Sequence, residues 1–167
     1  MSLTQQAITT AVQGVSIVAM TEHDLLEVVE IEESTGLSRW GWAAYYSELQ
    51  GRNKDLMLVA RVDAGRNQLS HRLAGYIVSR RGAGELHINN VAVRDRYRRR
   101  GIGRALLNQI LEAGKRAAVP HAFLELRAGN RAALALYEES GFHVTSRRRR
   151  YYTEPVEDAL VMTIQLE

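Results

Sequence analysis

The run Val91-Ala92-Val93-Arg94-Asp95-Arg96-Tyr97-Arg98-Arg99-Arg100-Gly101-Ile102-Gly103-Arg104-Ala105-Leu106-Leu107 joins three kinds of local structure. β-branched apolar residues end a strand, a turn rich in Arg and Gly follows, and an amphipathic helix begins. Ile102, Leu106, Ile110 and Ala113 recur at helical spacing with Leu107 and Leu111 beside them, which opens the helix at about Gly101. Gly101 and Gly103 let the backbone approach a ligand closely, and the N–H groups of the first helical turn point at whatever lies there. With arginines alongside, a phosphate or pyrophosphate is the preferred occupant, and an Arg-rich surface turn is the plainer alternative. The spacing is not a dinucleotide loop, which would need Gly where Leu106 stands. It is not a P-loop either, since no Gly-Lys-Ser/Thr follows.

Upstream, Val15 to Met20 reads as a first strand. Thr21 and Asp24 form a capping-box pattern before a helical face of Leu25, Leu26, Val28, Val29 and Ile31. A second helix spans about Trp42 to Leu49. Leu56 to Val62, Leu73 to Ser79 and Leu86 to Val93 form a meander with a polar turn at 63–70 and a tight turn at Arg81-Gly82-Ala83-Gly84. Downstream, Ala122, Leu124 and Leu126 alternate with Phe123, Glu125 and Arg127 in a strand. Gly129-Asn130 starts a helix that runs to about Glu139 and stops at Gly141. Phe142 to Tyr152 and Val156 to Leu166 close the chain as strands. The order β-α-α-β-β-β-α-β-α-β-β, without repeat or linker, is an α+β class chain. It predicts one domain with a mixed, mostly antiparallel, twisted sheet of about seven strands flanked by about four helices.

The 167 residues suit one such domain. Cysteine is absent, which removes disulfide scaffolds, cysteine nucleophiles and cysteine-ligated zinc. The cations are 20 Arg against only Lys54 and Lys115. The net charge of +3 is too small for a protein that coats nucleic acid, but its excess gathers at Arg94 to Arg104 and Arg147 to Arg150. From charge alone, such runs read as a solvated face, a nucleic-acid contact or a site for a small phosphate ligand. His23, His71, His87, His121 and His143 are scattered without metal-ligand spacing, so they read as structural or surface residues and no metal is expected. No Gly-x-Ser-x-Gly elbow marks a serine hydrolase. Residues 1–14 read as a flexible extension and 15–167 as the domain. No apolar run approaches a membrane span and no secretory pattern opens the chain, so a cytoplasmic location without membrane attachment is expected.

The glycine turn, as Arg98-x-x-Gly101-x-Gly103, resembles the acetyl-CoA pyrophosphate loop of the GCN5-related N-acetyltransferases (GNAT), and the element order is also that family's. Within the family the chain is most similar to the RimI-type protein N-terminal acetyltransferases. Asn90-Val91-Ala92-Val93, Tyr97 to Leu107, Leu124-Glu125-Leu126-Arg127, and Asn130 through Leu136-Tyr137-Glu138 to Gly141-Phe142 carry the likeness. Arg149-Arg150-Tyr151-Tyr152 and Glu157-Asp158-Ala159-Leu160 add to it. One departure is Arg39 before Trp40, where Pro-Trp is usual; it touches the substrate-binding helices.

The resemblance implies a single GNAT-like domain that uses acetyl-CoA and an amine acceptor. It implies a protein N-terminus, the N-terminal alanine of a small-subunit ribosomal protein, as that acceptor, with no direct nucleic-acid binding. Val91, Ala92, Val93, Arg98, Arg99, Arg100, Gly101, Ile102, Gly103, Arg104 and Asn130 are the implied cofactor-binding residues. Trp40, Tyr151 and Tyr152 would bind the acceptor. Glu125 alone reads as a partly exposed carboxylate pairing with Arg127 or a neighbour; the resemblance makes it the general base, directly or through water. Tyr137 alone reads as an aromatic packing its helix on the sheet; the resemblance makes it the general acid for the departing thiolate. Asn130 is an N-cap in its own right. A small amine, an antibiotic or a lysine as acceptor keeps the same chemistry. A non-catalytic acetyl-CoA-binding or RNA-docking module is the rival of another class.

Overall fold

The computed structural model describes residues 12–37, 39–63 and 72–167. The expected extension at 1–14 falls largely outside them, as does most of the polar turn at 63–70. Seven strands form one sheet in the order β1-β2-β3-β4-β5-β7-β6, where β1 is Val15–Ala19, β2 Met57–Val62, β3 Leu73–Gly82, β4 Glu85–Val93, β5 His121–Arg127, β6 His143–Thr153 and β7 Val156–Gln165. β4 and β5 pair in parallel, while the β1–β2, β2–β3, β5–β7 and β6–β7 pairs are antiparallel. The helices are α1 (Leu25–Thr35), α2 (Gly41–Leu49), α3 (Ile102–Arg116) and α4 (Arg131–Glu139). This is the predicted class and element order. The residues divide into two compact units, one of Met1–Val78 with Asn90–Leu107 and one of Ser79–Asn89 with Asn108–Glu167.

In the first unit, Leu25, Val28 and Ile31 of α1 are buried with Met57, Val59, Leu73, Tyr76 and Val78 of the strands and Tyr45 of α2. Leu26, which the periodicity assigned to the same face, points away and is 78% exposed. The predicted capping box exists, but on a 3₁₀ turn at Glu22–Asp24 that precedes α1: the Thr21 N–H donates to Asp24 Oδ2 at 2.8 Å. Arg94 sits in the Arg-rich run yet is buried. Its Nε donates to the Leu73 carbonyl at 2.9 Å, and its guanidinium pairs with Glu27 and Glu30, each at 3.1 Å. Its charge is spent on α1.

The second unit contains the β4–β5 pairing, α4 and the β6–β7 hairpin. The turn into β4 is Ala83-Gly84, both at positive φ (51° and 78°), a two-residue geometry that suits the twist of a hairpin. β5 behaves as its alternation predicts: Ala122, Leu124 and Leu126 are buried, and Phe123, Glu125 and Arg127 share the other, half-open face. Gly114 of α3 lies where a Cβ would come within 2.9 Å of Leu86 and Leu166. α4 starts as expected at Asn130, whose Oδ1 accepts from the Ala133 N–H at 3.1 Å.

Candidate active site

Glu125 stands on β5 between two nitrogen groups. His87 Nε2 lies 3.4 Å from its Oε2, and Arg148 Nη1 lies 3.4 Å from its Oε1. Hydrogen bonding from His87, with the charge of Arg148 adding to it, holds the carboxyl below its ordinary range against the opposing effect of burial. Arg127, the partner expected from sequence, serves elsewhere. It pairs with Glu157 at 3.3 Å and donates to the carbonyls of Glu154 and Pro155, each at 3.1 Å. The guanidinium lies 4.3 Å from the Tyr152 ring centre.

His87 is the residue that sequence reasoning missed. It belongs to β4, in register with Phe123, and its ring stacks on Phe123 at 4.4 Å and 8°. The usable signal was alternation. The odd-numbered residues of β4 are only partly buried, like the odd-numbered residues of β5, and the parallel register sets 87 beside 123 and 125. Asn89 is two residues on, and its Nδ2 is 3.2 Å from His87 Nδ1. Asn89 Oδ1 is buried without a hydrogen-bond partner among the described residues.

Tyr137 on α4 is buried, with its ring edge-on to Phe142 at 5.8 Å. Burial, reinforced by the neighbouring Tyr152, pushes its phenol well above the ordinary tyrosine value. The Tyr152 phenol is pushed up to about 12, by burial first and then by the charge of Glu125. Tyr152 therefore senses Glu125 and in turn affects Tyr137, so the second unit brings these three together. Tyr151, edge-on to Tyr152 at 5.1 Å, is exposed beside Arg148. Two more members of the Arg run are held by one acid, Arg147 by its side chain and Arg150 by its backbone. Asp158 accepts from Arg147 Nε at 2.6 Å and from the Arg150 N–H at 2.9 Å, where β6 bulges and Arg150 takes φ 51°.

In the first unit, Val91 to Val93 end β4 and lead through a 3₁₀ turn at Asp95–Tyr97 into the glycine turn. Arg98 folds back, donating from Nε to the Val93 carbonyl at 3.1 Å and pairing with Asp95 at 2.9 Å. Arg96 and Arg100 flank the buried Tyr97 ring. Arg99 and Gly101 take positive φ (62° and 81°), and the Gly101 carbonyl accepts the Ala105 N–H at 2.9 Å to start the α3 ladder at Ile102. No acid occupies the first turn of α3, where Gly103 and Arg104 follow Ile102, and Arg99, Arg100 and Arg104 are exposed. An anion is the species that such a turn favours. Trp40, also in this unit, donates its backbone N–H to Glu32 Oε1, and its ring stacks on Tyr45 at 5.3 Å. Among the described residues no three His, Cys, Asp or Glu side chains group as metal ligands would, and no helix is long and apolar enough to cross a membrane.

Residues 25–142 match the model of the acetyltransferase (GNAT) family. Among curated relatives, the ribosomal protein bS18-alanine N-acetyltransferase of Escherichia coli (strain K12) is 37% identical over 97 residues, covering 57% of this chain and 66% of that one. The aligned stretch thus spans just under two thirds of that relative's length. The enzyme of the same name from Salmonella typhimurium is 30% identical over 154 residues, covering 91% of this chain and 97% of that one. The crystal structure of the Escherichia coli ribosomal-protein-S18-alanine N-acetyltransferase superposes with a TM-score of 0.76 at 29% identity, covering 92% of this chain and 94% of that one. A chain of the NatC complex bound to Gag peptide and CoA shares the fold, with a TM-score of 0.81 at 21% identity over 93% of this chain and 100% of that one.

Proposed function

The chain belongs to the acetyltransferase (GNAT) family, and from that premise we propose that it moves an acetyl group from acetyl-CoA to the α-amine of a protein N-terminus. The N-terminal alanine of a small-subunit ribosomal protein is the acceptor that the two bacterial relatives point to, and the cytoplasm is the compartment that such an acceptor implies. The domain that performs this runs over 15–167. The observation that carries the reading is Glu125, an ionised carboxylate on a strand face held between His87 and Arg148.

The backbone of Val91, Ala92 and Val93, the turn Arg98 to Arg104 and the Asn130 side chain would hold acetyl-CoA. The left-handed Arg99 and Gly101, the acid-free first turn and three exposed guanidiniums fit its pyrophosphate. Bound there, it supplies a thioester whose acyl carbon is open to an amine. An α-amine titrates near about 7.7–8, so much of it arrives as ammonium. Glu125 attracts and orients that ammonium. Its carboxyl lies below the usual carboxylate value near about 4.3, so direct transfer runs uphill by more than about three pK units, each worth about 1.4 kcal/mol. Passing the proton onward through water suits that mismatch. Tyr137 would deliver its Oη proton to the leaving sulfur; like any phenol it holds that proton at neutral pH, and burial, which raises it further, makes it a donor only as charge develops on the sulfur. Trp40 in the first unit and Tyr151 and Tyr152 in the second are the residues that the resemblance assigns to the acceptor. With no cysteine in the chain, direct attack by the amine needs no covalent enzyme intermediate.

The test is incubation of the protein with acetyl-CoA and a panel of N-terminal peptides, free amines and lysine peptides, read by mass spectrometry. Acetylation of α-amines, alanine first, is expected. Modification confined to lysines, antibiotics or other small amines would replace the acceptor while keeping the chemistry. Glu125→Gln is expected to lower kcat by about 10²–10⁴ with acetyl-CoA affinity retained.

A further inference from the structure

We propose that Asn89 is a positioning residue for the Glu125 base, acting through His87 to fix which imidazole nitrogen carries the proton and which carboxylate oxygen meets the acceptor. The proposal rests on the reading of Glu125 as the base. An ionised carboxylate only accepts hydrogen bonds, so His87 Nε2, 3.4 Å from Oε2, must carry its proton to be held there. A neutral imidazole protonated at Nε2 has a bare Nδ1 that needs a donor. Asn89 Nδ2, at 3.2 Å, is that donor.

At the other end of the same amide, Asn89 Oδ1 is buried with no hydrogen-bond partner among the described residues. Turned the other way, the amide would set Oδ1 against Nδ1 and require a proton there. The observed orientation sets a donor against Nδ1 and leaves Oδ1 unsatisfied, a cost that buried polar groups normally avoid. Stacking on Phe123 at 4.4 Å and 8° fixes the plane of the imidazole, so its two nitrogens address Asn89 and Glu125 together. Glu125 Oε2 is then committed to His87. Oε1 faces Arg148, whose guanidinium is half exposed on β6, and this is the oxygen an incoming ammonium can reach by displacing a solvated cation.

The wild-type protein, with ¹⁵N-labelled histidine and with His87 assigned by its loss in His87→Gln, is expected to show His87 neutral and protonated at Nε2 at neutral pH. Asn89→Asp, which can only accept, is expected to convert His87 to the imidazolium. Asn89→Leu is expected to lower kcat by about tenfold, the scale at which an outer-shell partner of a working ligand acts, with KM for acetyl-CoA unchanged. In the His87→Gln background Asn89→Leu should change kcat less than twofold, because the two residues act in series. A wild-type His87 protonated at Nδ1 would overturn the proposal without requiring any altered side chain to fold. So would an Asn89→Leu effect of equal size in both backgrounds. A Glu125→Gln protein with wild-type kcat would instead remove the base reading, and the tautomer result would stand by itself.

Discussion

At Glu125 one carboxylate is shared by an imidazole and a guanidinium, and the unequal exposure of the two decides what each can do. Arg148 is half exposed, so its attraction is screened and worth at most about 1 kcal/mol, or about fivefold in a binding constant. If an acceptor ammonium displaces it, Arg148→Met should lower the acceptor's KM by up to about fivefold and leave kcat nearly unchanged, in steady-state kinetics at low salt. A rise in KM would mean that Arg148 recognises the acceptor itself. The pH dependence of kcat/KM follows from the same carboxylate. Glu125 is held below its ordinary range, so its loss of charge falls below about pH 4.3. The acid limb seen near neutrality should therefore track the acceptor's own amine, moving when peptides of different α-amine pKa are compared. The resemblance singles out Glu125 and Tyr137 because it aligns them to one strand and one helix, and the structure places them on β5 and α4; their catalytic roles stay as proposed. His87 was not legible, because nothing local to it marks its role: residues 87 and 125 meet only through a parallel pairing across the whole of α3.

The elements themselves were mostly legible, since caps and periodicity act within a few residues. Their boundaries moved where a 3₁₀ turn took over, at Glu22–Asp24 and Lys54–Leu56, and Leu26 left its expected face because the buried stripe of α1 is narrower than its apolar content. Two glycines show that one residue type can be required for different reasons. Gly101 has open space around it but φ 81°, so Gly101→Ala should cost the left-handed penalty of about 1–2 kcal/mol. That is a fall in Tm of roughly 2–8 °C for a chain of this size. Gly75 has an ordinary φ, but a Cβ there would come within 2.5 Å of the Ala92 carbonyl and 3.2 Å of Val93 Cα, backbone atoms that cannot swing aside. Gly75→Ala should therefore cost about 1–3 kcal/mol or more through a shift of β3 against β4. Differential scanning calorimetry of the two variants separates the cases when Gly101→Asn is added. Asparagine tolerates the left-handed region, so it should recover much of the Gly101→Ala loss.

Across the whole chain the order of elements was readable and the order of strands was not. Nothing in the sequence says that β7 lies between β5 and β6, because that depends on which long-range pairing wins after each element has formed. The Arg excess, the most conspicuous feature of the composition, also changes meaning at this scale. Arg94, Arg98, Arg127, Arg147 and Arg148 all have carboxylate partners, so part of the charge is structural. The phenols set the alkaline limit of stability. Tyr45 and Tyr76 are fully buried and share a hydrogen bond at 2.8 Å in the first unit, Tyr137 is buried in the second, and burial raises all three well above the ordinary value near 10.0. A group whose folded pKa is raised contributes stability that is fully present below its unfolded pKa and is lost as pH rises towards the folded one. Each such phenol removes about 1.4 kcal/mol per pH unit above about pH 10, so the three together remove roughly 4 kcal/mol per unit. A domain with about 5–15 kcal/mol in hand should then unfold between about pH 11 and 14. The share of the tyrosinate absorbance that belongs to Tyr45, Tyr76 and Tyr137, three of the seven tyrosines, should rise in one step that coincides with the loss of far-ultraviolet circular dichroism, since these phenols ionise only when the fold opens. If their absorbance grew smoothly while the circular dichroism stayed native, water would be reaching them in the folded state, and neither the Tyr45–Tyr76 pair nor the proton held on Tyr137 would be buried as described.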